Sequence, residues 1–254
     1  MAQQENTTSG DWKLLKLTPM HHEHLSMGAT MEERSGWLRP SVYTSVEDEM
    51  ERAKSSVGIS DISPAGKLLV QGAGAERLAR KFLGGIGELQ VGRALAGSRE
   101  SGDGETFPVA VCPLAPEEMF VTCPPERRNS LVEALNAELA GVVNDNQTIV
   151  LDVTSSYAGI NIAGPRSPDL LSKLTDLDLH PDGMPNLSSV QGQLAEVHGV
   201  LVRWDRGEEP GYNLYVAREY GVYVWEVLCD AGEEYGLAPV GVEAHRRLIG
   251  GAAA

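Results

Sequence analysis

Apolar positions recur along the chain with two periods, alternate residues and every third or fourth residue. The switches between them predict short strands alternating with helices. Ser45-Val-Glu-Asp-Glu opens a helix in which Val46, Met50, Ala53 and Val57 recur at helical spacing, its first turn loaded with carboxylates and its end expected at Gly58. Lys67 to Gln71 predicts a strand and Gly74 to Leu83 a helix with Leu78, Ala79, Phe82 and Leu83 inward. Phe107 to Leu114 and Met119 to Cys123 predict two strands around a polar turn. Pro124 to Leu139 predicts a helix striped by Leu131, Leu135 and Leu139. Further strands are expected at Thr148 to Val153, Tyr157 to Ile162, Val197 to Trp204 and Tyr212 to Val216. Helices are expected at Ser167 to Leu174, Glu219 to Tyr235 and Val242 to Ile249, and Asp176 to Ser189 reads as a loop.

One internal echo organises this series. Lys67-Leu-Leu-Val-Gln-Gly-Ala-Gly-Ala-Glu-Arg-Leu is a strand, a glycine turn and a helix. Gly159-Ile-Asn-Ile-Ala-Gly-Pro-Arg-Ser-Pro-Asp-Leu repeats the plan, with Gly72 aligned on Gly164. Each unit is followed by a hairpin-like pair and a further helix. The expected fold class is therefore α+β, two related strand-helix halves around a central cleft. Residues 1–16 are expected to form a flexible segment and residues 17–250 one domain of two intertwined halves.

Composition narrows the partners. The 254 residues carry 21 Lys plus Arg against 36 Asp plus Glu, a formal charge of −15, which disfavours nucleic acid and anionic membrane surfaces. Cys112, Cys123 and Cys229 are odd in number and widely spaced. They argue against a disulfide scaffold and a structural zinc site, and for a reducing compartment. No apolar run approaches a membrane span, and Met1 to Lys13 lacks the build of a secretion signal, so a cytoplasmic location is expected.

Candidate chemistry is sparse. His21-His22-Glu23-His24 places two histidines one helical turn apart but brings no matching third ligand, so no metal is expected. Gly72-Ala-Gly-Ala reads as a tight turn rather than a phosphate cradle, and Cys229 in an apolar helix as an inert thiol. The turn from Arg203 to Tyr212 is the richest stretch, with two arginines, three carboxylates and two aromatics between two strands. A carboxylate beside a ring suits a flat heterocycle bearing N–H groups, whereas a solvated hairpin tip would carry the same residues as local ion pairs.

Seven stretches in order carry a resemblance over residues 17–249. They are Thr18 to His24 with Gly36 to Tyr43, Val57 to Lys67, Leu89 to Arg93, Tyr157 to Ser167, and the Arg203 to Tyr212 turn with Gly236 to Gly241. In these the chain resembles the folate-binding aminomethyltransferase (glycine cleavage T-protein) superfamily, nearest the folate domain of sarcosine oxidase. The resemblance implies two α+β halves around an opening and tetrahydrofolate as cofactor. It also implies transfer of a methyl or aminomethyl group, or demethylation, on a small molecule, in a homo- or hetero-oligomer. It places the pterin-holding carboxylate at Glu209, with Arg203, Gly211 and Tyr212 in register and Tyr157 as a further cofactor contact. Glu209 and Tyr212 are the candidate catalytic groups.

The departures from the family pattern matter as much. Its Asp-Asp pair falls at Pro108-Val109, its arginine near the end of the last helix at Ile249, and its residue pair before Gly-Lys at Pro64-Ala65. The C-terminal barrel domain of the family has no counterpart before Ala254, and the KGCYxGQE signature of its iron–sulfur-maintenance branch is not present. Loss of the acid removes a proton shuttle typically worth about 10²–10⁴ in rate. Three readings therefore stay open: folate-dependent transfer, a folate-independent lyase releasing formaldehyde from a small substrate, an aromatic one among the candidates, and a non-catalytic T-protein-like subunit.

Overall fold

The computed structural model describes residues 14–84, 88–142 and 147–249. The chain runs through β1 (Lys16–Leu17), α1 (His21–Ser26), β2 (Thr30–Arg34), β3 (Trp37–Val42), α2 (Val46–Ser55), β4 (Gly58–Asp61), β5 (Gly66–Gln71) and α3 (Ala75–Phe82). It continues through β6 (Leu95–Glu100), β7 (Thr106–Ala115), β8 (Glu118–Cys123), α4 (Arg128–Val142), β9 (Ile149–Asp152), β10 (Tyr157–Ala163) and α5 (Ser167–Ser172). The last elements are β11 (Ser189–Leu194), β12 (Val197–Arg203), β13 (Gly211–Ala217), α6 (Gly221–Gly232), β14 (Ala238–Pro239) and α7 (Val242–Leu248). Most of the segment expected to be flexible and the chain end lie outside the described residues, while Lys16 pairs with Trp37 in β1.

The echo read in the sequence is a repeated geometry. Gly72 ends β5 with φ +116° and Gly164 ends β10 with φ +124°, conformations that side chains rarely adopt. Each glycine N–H donates to the turn of its own half's hairpin, Gly72 to Glu117 O at 2.9 Å and Gly164 to Pro210 O at 3.0 Å. Each glycine carbonyl then accepts from the first turn of the helix, from Ala75 N at 2.9 Å and Ser167 N at 3.0 Å.

The halves exchange strands. One sheet has the order β6-β7-β8-β5-β9 and the other β11-β12-β13-β10-β4-β14. β4 directly precedes β5 but pairs with β10, and β9 directly precedes β10 but pairs with β5. The short crossings, Ile62 to Ala65 and Val153 to Ser156, therefore stitch the sheets together.

Strand alternation sorts side chains into layers. In β13, Tyr212, Leu214 and Val216 join Leu170, Leu171, Trp225 and Leu228 beneath α5 and α6. Around β5 the equivalent layer packs Leu68 and Val70 against Leu78, Phe82, Leu131 and Leu135 of α3 and α4. The inner faces meet through Ile62, Cys112, Phe120, Val200, Val202 and Tyr215. The helix begun at Ser45 is capped by that residue's hydroxyl, which accepts from Asp48 N. It stops at Ser55, and Gly58, expected to end it, instead starts β4, where it lies so close to α2 and the segment before α7 that a Cβ would meet Ala53 and Val240 at 2.8 Å. Strands β2, β3, β6 and β11 were not expected from the pattern. A helix expected from Glu219 starts at Gly221 after a 3₁₀ turn.

Candidate active site

Where the inner faces part, a cavity of about 530 Å³ opens between the sheets. Its apolar wall includes Ile62 and Ala65 from the first crossing, Pro108 and Ala110 from β7, and Val202 from β12. Its polar end is built from Asn161 of β10, Asn213 of β13, and Trp204, Asp205 and Arg206 of the β12–β13 turn, and α7 closes it with His245, Leu248 and Ile249. The helix α7 is set by Glu49, a buried acid whose carboxylate accepts from Tyr43 N, Thr44 N and, at 2.8 Å, Gly241 N just before that helix.

The polar end is a connected network. Arg206 donates through Nη2 to Asn161 Oδ1 at 2.6 Å, and Asn161 Nδ2 donates to Asn213 Oδ1 at 2.7 Å and to Tyr212 O at 3.2 Å. Burial draws the Arg206 guanidinium down to about 10, against the opposing pull of Glu209. Asp205 is the carboxylate on this wall. It accepts from Arg203 Nε at 2.9 Å and from Gly211 N at 3.3 Å. His245 is buried beside Arg206 and Arg39. Burial first, then those two cations, draw its imidazole down to about 3, and its Nδ1 has no hydrogen-bond partner among the described residues. Burial pushes the thiols of Cys112 and Cys123 up to about 12, so neither is a nucleophile at neutral pH.

The residues singled out in the sequence fall in different places. Glu209 is half-buried in the turn, its backbone paired in both directions with Arg206 and its charge acting on that guanidinium. Arg203 and Tyr212 sit behind the cavity on the helix-covered face. Arg203 bonds Asp205 and Met184 O and lies 5.9 Å above the Tyr212 ring, and the Tyr212 hydroxyl is buried without a hydrogen-bond partner among the described residues. Tyr157 stacks edge-on against Phe120 at 5.6 Å, and Phe120 in turn packs on Tyr215 of the cavity wall. The turn thus divides, Trp204, Asp205 and Arg206 facing inward and Arg203 with Tyr212 bracing them from outside. His24 is engaged by Asp61 and Tyr43, each at 2.8 Å, and no group of three or more potential metal ligands occurs among the described residues.

The departures from the family pattern line the cavity. Alternation turns Pro108 toward it with Ala110 and Cys112, while Val109 also borders the cavity but packs in the core under α3 and α4. Ala65 and Ile249 are also on the wall. Asn161 and His245 were missed by sequence reasoning. Asn161 reads as one polar residue in an apolar strand, a signal of a polar group inside, whereas nothing in the spacing ties residue 245 to residues 39 and 206.

Comparison with known proteins agrees with the architecture. Residues 20–249 match the profile described as GCVT N-terminal domain. The aminomethyltransferase of Streptomyces coelicolor is 32% identical over 237 residues, covering 92% of this chain and 62% of that protein. The sarcosine oxidase subunit alpha of Corynebacterium sp. (strain P-1) is 28% identical over 250 residues, 90% of this chain and 25% of that one. The chain therefore spans less than two thirds of the length of these relatives. Among solved structures, glycine cleavage system aminomethyltransferase T from Bartonella henselae superposes with a TM-score of 0.78 at 18% identity, covering 92% of this chain and 62% of that one. A chain of heterotetrameric sarcosine oxidase from Corynebacterium sp. U-96 gives 0.60 at 19% identity, covering 86% and 95%. No helix among the described residues is long and apolar enough to cross a membrane.

Proposed function

Because the chain belongs to the GCVT N-terminal domain family, we propose that its inter-sheet cavity binds tetrahydrofolate and serves one-carbon transfer to or from a small molecule. The observation that carries this reading is the pairing of an apolar slot with a polar end that combines donors and acceptors, Arg206, Asn161, Asn213 and Asp205. A volume of about 530 Å³ suits a ligand of that size. A flat ring with N–H groups on one edge needs acceptors there and apolar walls for its faces. Asp205 supplies a carboxylate on the wall, Glu209, which is not among the lining residues, acts through its charge on Arg206, Trp204 and Val202 supply apolar surface, and Arg206 supplies a donor. Arg203 and Tyr212 hold the turn from behind, and Tyr157 backs Tyr215 through Phe120. Bound tetrahydrofolate would supply the nitrogen that accepts or releases the one-carbon group.

The chain's own part is binding, orientation and exclusion of water. Pro108 offers no proton acceptor where the family pattern has an acid. Asp205, held by Arg203, is the acid left on the wall, and its engaged oxygens favour an orienting role. The same feature favours a second reading, a folate-independent lyase that releases formaldehyde from a small substrate. The two are separated by adding a hydroxymethyl aromatic, whose cleavage can release formaldehyde without an oxidant, with and without tetrahydrofolate, and following both loss of the substrate and trapped formaldehyde. The one-carbon reading requires the carrier for turnover, and turnover without it would replace that reading by the second.

A further inference from the structure

A second chamber of about 430 Å³ adjoins the cavity, sharing Ile62, Ala65, Pro108, His245 and Ile249 with it. In a chain of net charge −15, this chamber is lined by four arginines, Arg34, Arg39, Arg127 and Arg246. Arg34 and Arg127 are held by close acids, and Arg246 is largely exposed. Arg34 bridges Glu243 at 2.8 Å, Arg127 bridges Asp103 at 3.0 Å, and Arg246 lies 4.0 Å from Glu243. Arg39 differs. It is 8% exposed, its Nε is buried without a hydrogen-bond partner, and no ion pair engages its guanidinium among the described residues. Asp61 and Glu126 act on it at longer range, but Asp61 is already occupied by His24 and Ser63 N, and Glu126 is exposed. An unpaired buried guanidinium is costly unless something anionic completes it. His245, whose Nδ1 is likewise unsatisfied, stands where the two chambers meet and feels both Arg39 and Arg206.

The geometry points to Arg39, with His245 beside it, as the receptor for the carboxylate of a small one-carbon donor whose body extends into the larger chamber. A carboxylate fits better than a phosphate. One free guanidinium offers a planar fork for two oxygens and one positive charge, Arg34 and Arg127 are engaged by acids, and Arg246 is largely exposed and shares Glu243 with Arg34. The anchored molecule would pass His245 and present its far end near Asn161 and Arg206. This rests on the one-carbon reading for the identity of the site, but the anion subsite is testable apart from it.

The test is calorimetric titration of the full chain with two probes of one shape, 4-methoxybenzoate and 4-methoxybenzamide. Wild-type protein should prefer the carboxylate by about tenfold to a hundredfold, the scale of a lost charge-assisted hydrogen-bond pair. That comparison needs no variant. Arg39→Met should erase the preference, and Arg39→Lys should keep part of it, with circular dichroism checking the fold of each. Equal affinity for both probes, or no saturable binding of the carboxylate, overturns the proposal. Tetrahydrofolate and tetrahydropterin, which lacks the glutamyl tail, form the second arm. If Arg39→Lys weakens tetrahydrofolate alone, the fork receives the carrier's tail and the assignment to a donor falls. If tetrahydrofolate fails to bind while the carboxylate preference persists and depends on Arg39, the carboxylate subsite is supported and the one-carbon reading is lost.

Discussion

Arg206 Nη2 lies 2.6 Å from Asn161 Oδ1, a bond that ties the β12–β13 turn to the strand of the second repeat and fixes the polar end of the cavity. Both side chains are largely withdrawn from water, so the bond is charge-assisted in a low-dielectric setting. Asn161→Ala should cost about 1–3 kcal/mol in chemical denaturation, because it strands a buried cation. It should also weaken tetrahydrofolate binding in calorimetry. Unchanged stability would mean that solvent completes Arg206 without Asn161.

Equivalent glycines should respond alike. A Cβ at Gly72 would meet Gln147 O at 2.0 Å, and one at Gly164 would meet Ala53 O and Ser56 O at 2.4 Å. Gly72→Ala and Gly164→Ala should each destabilise by at least about 2 kcal/mol, strain and clash acting together. Urea unfolding measures both, and a neutral effect at either would break the structural equivalence of the two halves.

The two positions that take the place of the acidic pair should part company. Pro108 is half-buried on the cavity side and donates no ladder bond, whereas Val109 is 2% exposed in the helix-side core. Pro108→Asp should therefore fold, losing no more than about 1–2 kcal/mol, while Val109→Asp buries an unpaired carboxyl and should lose several. The Pro108→Asp protein should also gain a pH dependence in tetrahydrofolate affinity. Equal stability of the two variants would refute the assigned strand faces.

Acidification should weaken the fold in two stages. The His245 imidazole stays neutral down to about 3 when folded, against 6.5 for a free histidine, so the unfolded chain binds more protons between those values. Stability is then complete above 6.5 and declines as pH falls through that window. Burial opposes ionisation of Asp61, but bonds from His24 and Ser63 outweigh it and hold the acid at about 2 rather than 3.8. Its contribution is full above 3.8 and disappears as pH falls toward 2. The denaturation midpoint of His245→Gln, measured against pH, should lose the first slope and keep the second. A slope between pH 6.5 and 4 as steep as in the wild type would assign it to other groups.

The repeat was legible because its glycines are local requirements of a turn. Helices α2, α3 and α4 were legible because their apolar stripes answer to neighbours above and below on one face. The strand exchange was not legible, since β4 and β9 give no local sign of which distant strand completes them. β2 and β3 were obscured by Glu32, Glu33, Arg34, Arg39 and Pro40, and β11 by Gly192 and its glutamines, all poor advertisements for a strand. In the turn, carboxylates beside aromatics marked the right segment. The division between cavity and bracing face depended on strand parity, which turned Trp204 inward and Tyr212 away. Asn161, Arg39 and His245 come together only through tertiary packing.

The most direct measurement is calorimetric titration of tetrahydrofolate into the wild-type protein, Glu209→Ala and Asn161→Ala at fixed salt. The account predicts saturable binding at micromolar affinity or tighter, weakened about tenfold or more by each substitution while the fold persists. No binding heat in the wild type, or affinity indifferent to both changes at the turn and the strand, would contradict it.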